Sequence, residues 1–253
     1  SVLSPNYIDV DDNGPSTNDL GDYVKFNYSK KHSNYGWRSN NDKTKANADL
    51  GNLADNRDAR AYYTEGTKEI WYVHSIESKN EIARFYYSDR QDAYDINNPN
   101  NKLQKLDSIH IYSRPELEIL NPTPIKRIYF DFKTNTPLCK GIYNDNSKSK
   151  LTLNSLYFKN GSSNKGRQSP YLFSYSNFNP NYNPNEVDRW GNYKPSNNSN
   201  IALDNKYFPF VNQESRNIAN QNASAWLLNK ISLPSGGMIE IDYEAHDYAF
   251  VQN

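Results

Sequence analysis

The chain has very little cysteine, no net charge and no long apolar run. Its single cysteine, Cys139, cannot form an internal disulfide, and one thiol excludes a zinc site built from several cysteines. No stretch of about 18 consecutive apolar residues occurs, so the sequence predicts no membrane-spanning helix. Because 29 basic residues balance 29 acidic ones, the composition gives no electrostatic reason to expect nucleic acid as a partner.

Apolar residues are scarce as well, at 36% of the chain with a mean hydropathy of -0.98. Disordered chains share such low hydropathy, but they are also poor in aromatic residues and carry high net charge. This chain instead has 21 tyrosines, 10 phenylalanines and 4 tryptophans at zero net charge. We therefore expect a folded, polar-surfaced protein whose apolar burial comes largely from aromatic rings.

Short runs of alternating apolar and polar residues, each closed by turn-forming residues, dominate the chain. This period-two pattern is typical of β-strands joined into hairpins. It predicts strands over residues 22–28, 69–78, 82–88, 106–113, 125–132, 151–160, 170–176, 226–233 and 238–244. The expected fold class is mainly β, with antiparallel hairpins forming a twisted sheet strip or a sandwich. Long loops rich in asparagine and proline separate the hairpins, and at most one or two short helices, within 41–63 and 212–226, accompany them.

The length suits one large domain or two small ones. We expect residues 1–253 to form a single β-rich unit, with a sub-boundary near 97–104 as the alternative. The final hairpin leaves an open sheet edge, which a following strand would normally cover. That edge and the missing initiator methionine lead us to expect a fragment of a longer polypeptide.

An acidic stretch near the start resembles a calcium loop. Asp9, Asp11 and Asn13 stand at alternate positions, and Gly14 follows where such loops turn sharply. The twelfth position, which needs a bidentate glutamate, is Leu20, and the sequence beyond it predicts a strand instead of the flanking helix. Two interpretations remain: a calcium site, or a turn in which side chains hydrogen-bond only to the backbone.

Aromatic residues beside polar ones suggest a sugar-binding surface. Trp37 lies in one such stretch, and Trp190 and Tyr193 lie in another with Asp188 and Arg189. These rings could stack on a sugar while the charged groups bind its hydroxyls. The structural alternative is that the rings anchor long loops, since aromatic side chains supply much buried area.

Recognisable catalytic patterns are few. The four histidines stand singly, and no G-x-S-x-G elbow occurs. A polysaccharide-cleaving enzyme would need two facing carboxylates, for which the candidates are Asp188, Glu240, Asp242 and Glu244. The last three alternate in sequence, and a row on the wet face of one strand is the simpler interpretation.

Three motifs stand out in the last third of the chain: a "PxxFxY" strand, a "DxWGxY" loop and a closing hairpin. Their residues are Pro170, Phe173 and Tyr175; Asp188, Trp190, Gly191 and Tyr193; and Leu228, Ile231, Pro234, Gly236, Gly237, Tyr243 and Glu244. Together these motifs resemble the Rhs/YD-type β-hairpin repeats of very large secreted or surface proteins of the Bacteroidota. The resemblance implies strips of antiparallel sheet and brings no catalytic residues with it.

Three functions follow in order of preference. The first is a non-catalytic, extracellular or cell-surface β-hairpin segment with a scaffold or adhesion role. Its partners would be the rest of its own polypeptide, surface glycans or other surface proteins, without nucleic acid or a membrane span. The second is a glycan-binding module that uses the tryptophan and tyrosine loops. The third is an enzyme acting on polysaccharide. No cofactor is expected, apart from calcium at Asp9, Asp11 and Asn13.

Overall fold

The structure is a computed structural model that describes residues 1–38, 64–132, 137–142, 148–183, 186, 192–193, 195 and 215–246. Asp188, Arg189 and Trp190 of the predicted sugar site, and the possible helix within 41–63, lie outside these residues. All structural statements below concern the described part of the chain.

Ten strands form one open antiparallel sheet in which spatial order equals sequence order. The strands are β1 (Val2–Leu3), β2 (Tyr23–Arg38), β3 (Glu65–Ser78), β4 (Glu81–Tyr94), β5 (Lys102–Ser113), β6 (Lys126–Asp131), β7 (Ser155–Asn160), β8 (Tyr171–Tyr175), β9 (Leu228–Ser232) and β10 (Met238–Glu240). Each strand pairs only with the strands before and after it in the chain. The mainly β prediction is confirmed, and the sheet is a single strip.

Helical structure is short in the described residues. Helix α1 (Arg114–Leu117) follows β5 directly, a 3-10 turn (Lys165–Gln168) lies between β7 and β8, and helix α2 (Arg216–Ala223) precedes β9. Helix α2 falls inside the segment 212–226, so the short helix predicted there is confirmed.

The strands near the start are longer than their sequence pattern indicates. Strand β2 continues past the predicted end at Tyr28 to Arg38, and its pairing with β3 shifts register at three places. Such bulges break the strict alternation on which the prediction rested. At the other end, β10 stops at Glu240, so the predicted extension of this strand to Glu244 is wrong.

The register divides the central sheet into two chemically different faces. Directly opposite residues of antiparallel strands point to the same side, so the pairing assigns each side chain to a face. The apolar face carries Phe26, Ile76, Ala83, Phe85, Ile109, Ile111, Ile128, Phe130, Leu156 and Phe158. The polar face carries Asn27, Ser75, Arg84, Tyr86, Ser108, His110, Arg127, Tyr129, Tyr157 and Lys159.

Few apolar side chains are buried in the described residues. They are Tyr23, Tyr35, Tyr112, Leu138, Cys139, Ile142, Ala219 and Ala225. Three of the eight are tyrosines, which fits a sheet stabilised by rings. Of the helices described, none has both the length and the apolar character needed to cross a bilayer.

Candidate functional site

The acidic loop predicted as a calcium site is closed by a short antiparallel bridge. Ile8 and Leu20 exchange backbone hydrogen bonds, N to O, of 3.0 and 3.1 Å. Leu20 stands at the position where an EF-hand-type loop has its bidentate glutamate. Its backbone closes the loop instead, and its side chain is exposed. A calcium ion in this loop would therefore need other oxygen ligands in place of that glutamate.

Asp19 organises this loop from its interior. The side chain is buried, and its Oδ2 accepts hydrogen bonds from the Tyr7 hydroxyl at 2.8 Å and the Ser16 N–H at 2.7 Å. Its Oδ1 accepts one from the Val10 N–H at 3.0 Å. These bonds, led by the one from Val10, lower the pKa of the Asp19 carboxyl although burial opposes the shift. Asp19 is therefore held as a carboxylate.

Asp9 and Asp11 bring two further carboxylates to Asp19. Single oxygens of the three side chains all lie within 4.8 Å of one another. Oxygens bound to one calcium ion at 2.3–2.6 Å lie at such separations. Asp9 Oδ2 accepts the Gly14 N–H at 2.9 Å, whereas its Oδ1 is buried without a hydrogen-bond partner. The cluster thus has a buried oxygen to which no described residue donates a hydrogen bond.

Asn13 is the third residue of the predicted calcium site. It is exposed, and its backbone N–H donates to Asp11 Oδ1 at 3.3 Å. The structure brings a further carboxylate, that of Asp19, to Asp9 and Asp11, and the alternate spacing of Asp9, Asp11 and Asn13 did not include it. Asp19 is the eleventh residue of the loop counted from Asp9, whereas an EF-hand-type loop has its glutamate at the twelfth. A comparison with the twelfth position alone therefore does not identify Asp19.

The Tyr7 phenol lies beside the same group of carboxylates. Removal from water, followed by the hydrogen bond to Asp19 and the nearby charges of Asp9 and Asp11, raises the pKa of the Tyr7 phenol strongly. The phenol therefore remains a hydrogen-bond donor to Asp19 at any physiological pH.

The two described members of the predicted sugar site lie far apart in strand order. Trp37 is half-buried in β2, opposite Gly66, with the Lys68 ammonium 5.9 Å from its ring centroid. Tyr193 packs edge-on against Phe178 and Trp226, at centroid distances of 5.6 and 5.4 Å, and Phe178 follows β8. Because β2 and β8 stand six strands apart, Trp37 and Tyr193 do not form one surface.

The described carboxylates that were candidates for catalysis, Glu240, Asp242 and Glu244, have different surroundings. Glu240, in β10, lies 3.7 Å from the Lys230 ammonium, and Glu244 lies 3.3 Å from the Arg216 guanidinium. Asp242 lines a shallow cleft between α2 and the end of the sheet. Because β10 ends at Glu240, the three do not form the row along one strand that alternation predicted.

The polar face contains an arrangement that sequence inspection missed. Arg84, His110, Arg127 and Lys159 stand directly opposite one another on β4, β5, β6 and β7. The adjoining row consists of Tyr86, Ser108, Tyr129 and Tyr157. We call the first set the basic row and the second the hydroxyl row. Each row forms only through the pairing of four strands, so no short sequence motif predicts it.

Comparison with protein-family models, with curated proteins and with solved structures returned no match.

Proposed function

We propose that this chain is a non-catalytic, extracellular β-hairpin segment of a large bacterial surface or secreted protein, similar to Rhs/YD-type hairpin regions. Its role is that of a scaffold that also supports adhesion. The observation that carries this proposal is the strictly sequential order of the ten strands in one open sheet. Hairpins added side by side can be extended at either edge without rearranging those already formed.

Two features of the sheet support a structural role. Cross-strand side-chain pairs stabilise sheets, and here ring contacts connect neighbouring strands, as between Tyr129 and Tyr157 with centroids 5.1 Å apart. Arg114, directly after β5, connects β5 to β2 and β3, because its guanidinium contacts both the Tyr23 hydroxyl at 3.1 Å and the Glu77 carboxylate at 3.2 Å. These contacts serve the framework itself.

The proposal is tested by incubating the chain with a panel of bacterial and plant polysaccharides and measuring reducing ends. A scaffold leaves every polymer intact over hours at micromolar protein. Sustained release of reducing ends, lost on substitution of Asp242 or Glu240 in a still-folded variant, would instead establish the enzyme alternative. A heat-treated sample serves as the blank.

A second candidate function, calcium binding by the loop at Asp9, is favoured by the buried and unpartnered Asp9 Oδ1. A calcium ion between Asp9, Asp11 and Asp19 would supply the missing positive partner, and hard oxygen ligands suit it. In this role calcium would stiffen the entry to β2. It would take no part in chemistry.

A melting scan with calcium and with chelator tests this site. Calcium at about 100 times its dissociation constant should stabilise the folded state by about 2.7 kcal/mol. Asp9→Asn should remove the response, whereas Asp12→Asn, an exposed neighbour outside the cluster, should keep it. An unchanged melting temperature at millimolar calcium would leave the loop as a backbone-capping turn.

A further inference from the structure

The basic row carries positive charge that no carboxylate neutralises in the described part of the chain. The ion pairs found there all involve other residues. Arg127 donates to the Gly161 carbonyl at 2.9 Å, the Arg84 guanidinium lies 5.4 Å from the Tyr112 ring, and the Lys159 ammonium lies 5.2 Å from the Tyr129 ring. Carbonyl oxygens and ring faces orient these cations but do not cancel their charge.

This placement has a cost in stability. Like charges directly opposite each other on neighbouring strands destabilise a sheet, and Arg127 stands opposite Lys159. A sequence selected for stability alone would place a carboxylate or a neutral residue at one of these positions. Local violations of this kind are expected at functional surfaces.

Acidic groups on the same face do not compensate the row. Glu77, on β3, is already bound by Arg114 and by the Asn27 amide at 2.6 Å. Asp131 stands opposite Ser155 at the end of β6. The hydroxyl row lies between Asp131 and the basic row. With strands about 4.8 Å apart, the basic row extends over about 14 Å. The positive charge of Arg84, Arg127 and Lys159 therefore follows a line from β4 to β7, with His110 between them on β5.

The hydroxyl row decides what kind of anion fits. The hydroxyls of Tyr129 and Tyr157 have no hydrogen-bond partner among the described residues, while their rings lie nearly parallel, at 16°. Stacked against each other in this way, each ring presents its edge, its hydroxyl and at most one face to a ligand. Bases of single-stranded nucleic acid need open ring faces. Hydroxyl groups beside guanidinium and ammonium groups suit instead a chain that carries both hydroxyls and anionic groups.

We propose that the polar face of β4–β7 binds an acidic polysaccharide, with Arg84, Arg127 and Lys159 on its sulfate or carboxylate groups and Tyr129 and Tyr157 on its hydroxyls. The polysaccharide lies across the strands, along the basic row. This goes beyond the scaffold role and does not depend on it, because an isolated sheet strip would bind in the same way.

The affinity of the full chain for three polymers tests the proposal, measured by calorimetry at low ionic strength, where surface charges are least screened. Dextran sulfate and polygalacturonate distinguish sulfate from carboxylate recognition, and neutral dextran is the uncharged control. A single-stranded oligonucleotide is the fourth probe. We expect at least one acidic polymer to bind and neutral dextran not to bind. Failure of both acidic polymers, or tighter binding of the oligonucleotide, would overturn the assignment.

Matched variants locate the binding surface. Arg127→Gln and Lys159→Gln should each weaken binding about tenfold, the scale of one hydrogen bond to a charged group. Lys126→Gln, adjacent in β6 but on the apolar face, should leave the affinity unchanged. Equal loss in Lys126→Gln would mean that binding follows diffuse charge, and the proposal would be wrong.

A charge reversal separates binding from folding. Lys159→Glu places a carboxylate opposite Arg127 and replaces a repulsive pair with an attractive one. Its melting temperature should rise while binding of the acidic polymer disappears. Because the variant should be more stable than the original chain, a loss of binding cannot result from unfolding. A stabilised variant that still binds the acidic polymer would show that Lys159 has no role in binding.

Discussion

At the scale of single residues, His110 is surrounded by groups that disfavour its charged form. Its ring contacts Tyr86, Tyr112 and Tyr129, and Arg127 and Arg84 stand opposite it on the neighbouring strands. Burial, followed by the charge of Arg127, lowers the pKa of His110 below its usual 6.5. The imidazole is therefore neutral at neutral pH.

This shift predicts a pH-dependent stability. A lowered histidine pKa contributes stability that is complete above the ordinary value and is lost as the pH falls through the folded-state value. The melting temperature should therefore decrease as the pH falls below about 6.5, the ordinary pKa of histidine. His110→Gln should reduce that decrease, with His246→Gln as the exposed control. An identical decrease in all three proteins would contradict the assignment to His110.

Asp92 is the second residue whose environment predicts a measurable effect. It is buried at the end of β4, where it receives two bonds from the Arg90 guanidinium, at 2.8 and 2.6 Å, and one from the Leu151 N–H at 2.8 Å. Although burial opposes the shift, the Arg90 and Leu151 hydrogen bonds lower the pKa of the carboxyl. Asp92 thus connects β4 to the segment before β7.

Removal of this carboxylate should be costly. Asp92→Ala leaves Arg90 without its bidentate partner and should lower the free energy of unfolding by about 3 kcal/mol, at the lower end for breaking a buried pair. Urea denaturation measures the change, with the exposed Asp89→Ala as control. A loss no larger than that of Asp89→Ala would show that the buried pair contributes little.

At the scale of elements, the 3-10 turn between β7 and β8 lies tightly against the strand that precedes it. A Cβ on Gly166 would overlap the backbone carbonyl of Phe158, whereas a Cβ on Gly237, in the turn before β10, would meet only side-chain atoms at 3.6 Å. The turn can therefore lie against β7 only because residue 166 is glycine.

Substitutions at these two glycines should differ in effect. Gly166→Ala should destabilise the protein by about 1–3 kcal/mol, as expected when atoms are forced into occupied space. Gly237→Ala should be nearly neutral. Thermal unfolding of both variants measures the difference, and equal melting temperatures would show that the turn can move away from β7 at little cost.

The elements also show what the sequence could and could not predict. Alternation located β3 through β9 because their apolar residues line one face, as Ile109 and Ile111 do in β5. It missed the second half of β2, where polar residues and register shifts hide the pattern. The basic row could not be predicted from the sequence because Arg84 and Lys159 are 75 positions apart. The zero net charge of the chain also gives no sign of a local excess of positive charge.

At the scale of the whole molecule, no strand in the described part of the chain covers the outer side of β1 or of β10. Strand β1 is two residues long, and all three residues of β10 are exposed. Edge strands have backbone groups without a neighbouring strand, and local opening is easiest where few contacts must break. Stability should therefore be highest in the middle of the strand order.

Amide hydrogen exchange should reveal this gradient. Backbone amides in β5 should exchange at least about tenfold more slowly than those in β10, since the centre opens only with larger parts of the sheet. Mass spectrometry of peptides covering Lys102–Ser113 and Met238–Glu240 provides the comparison. Uniform protection across both would mean that the edge is covered in solution, for example by a second copy.

Sequential strand order also has a kinetic consequence. Every described strand pairs with the strands before and after it in the chain, and most of these partners are joined by short connections, although residues 176–227 separate β8 from β9. Proteins whose contacts are close in sequence fold faster than sandwiches whose strands pair over long distances. Folding can start at a single hairpin and proceed outward strand by strand. The chain can therefore assemble in the order in which it is synthesised, with each new hairpin extending the sheet that already exists.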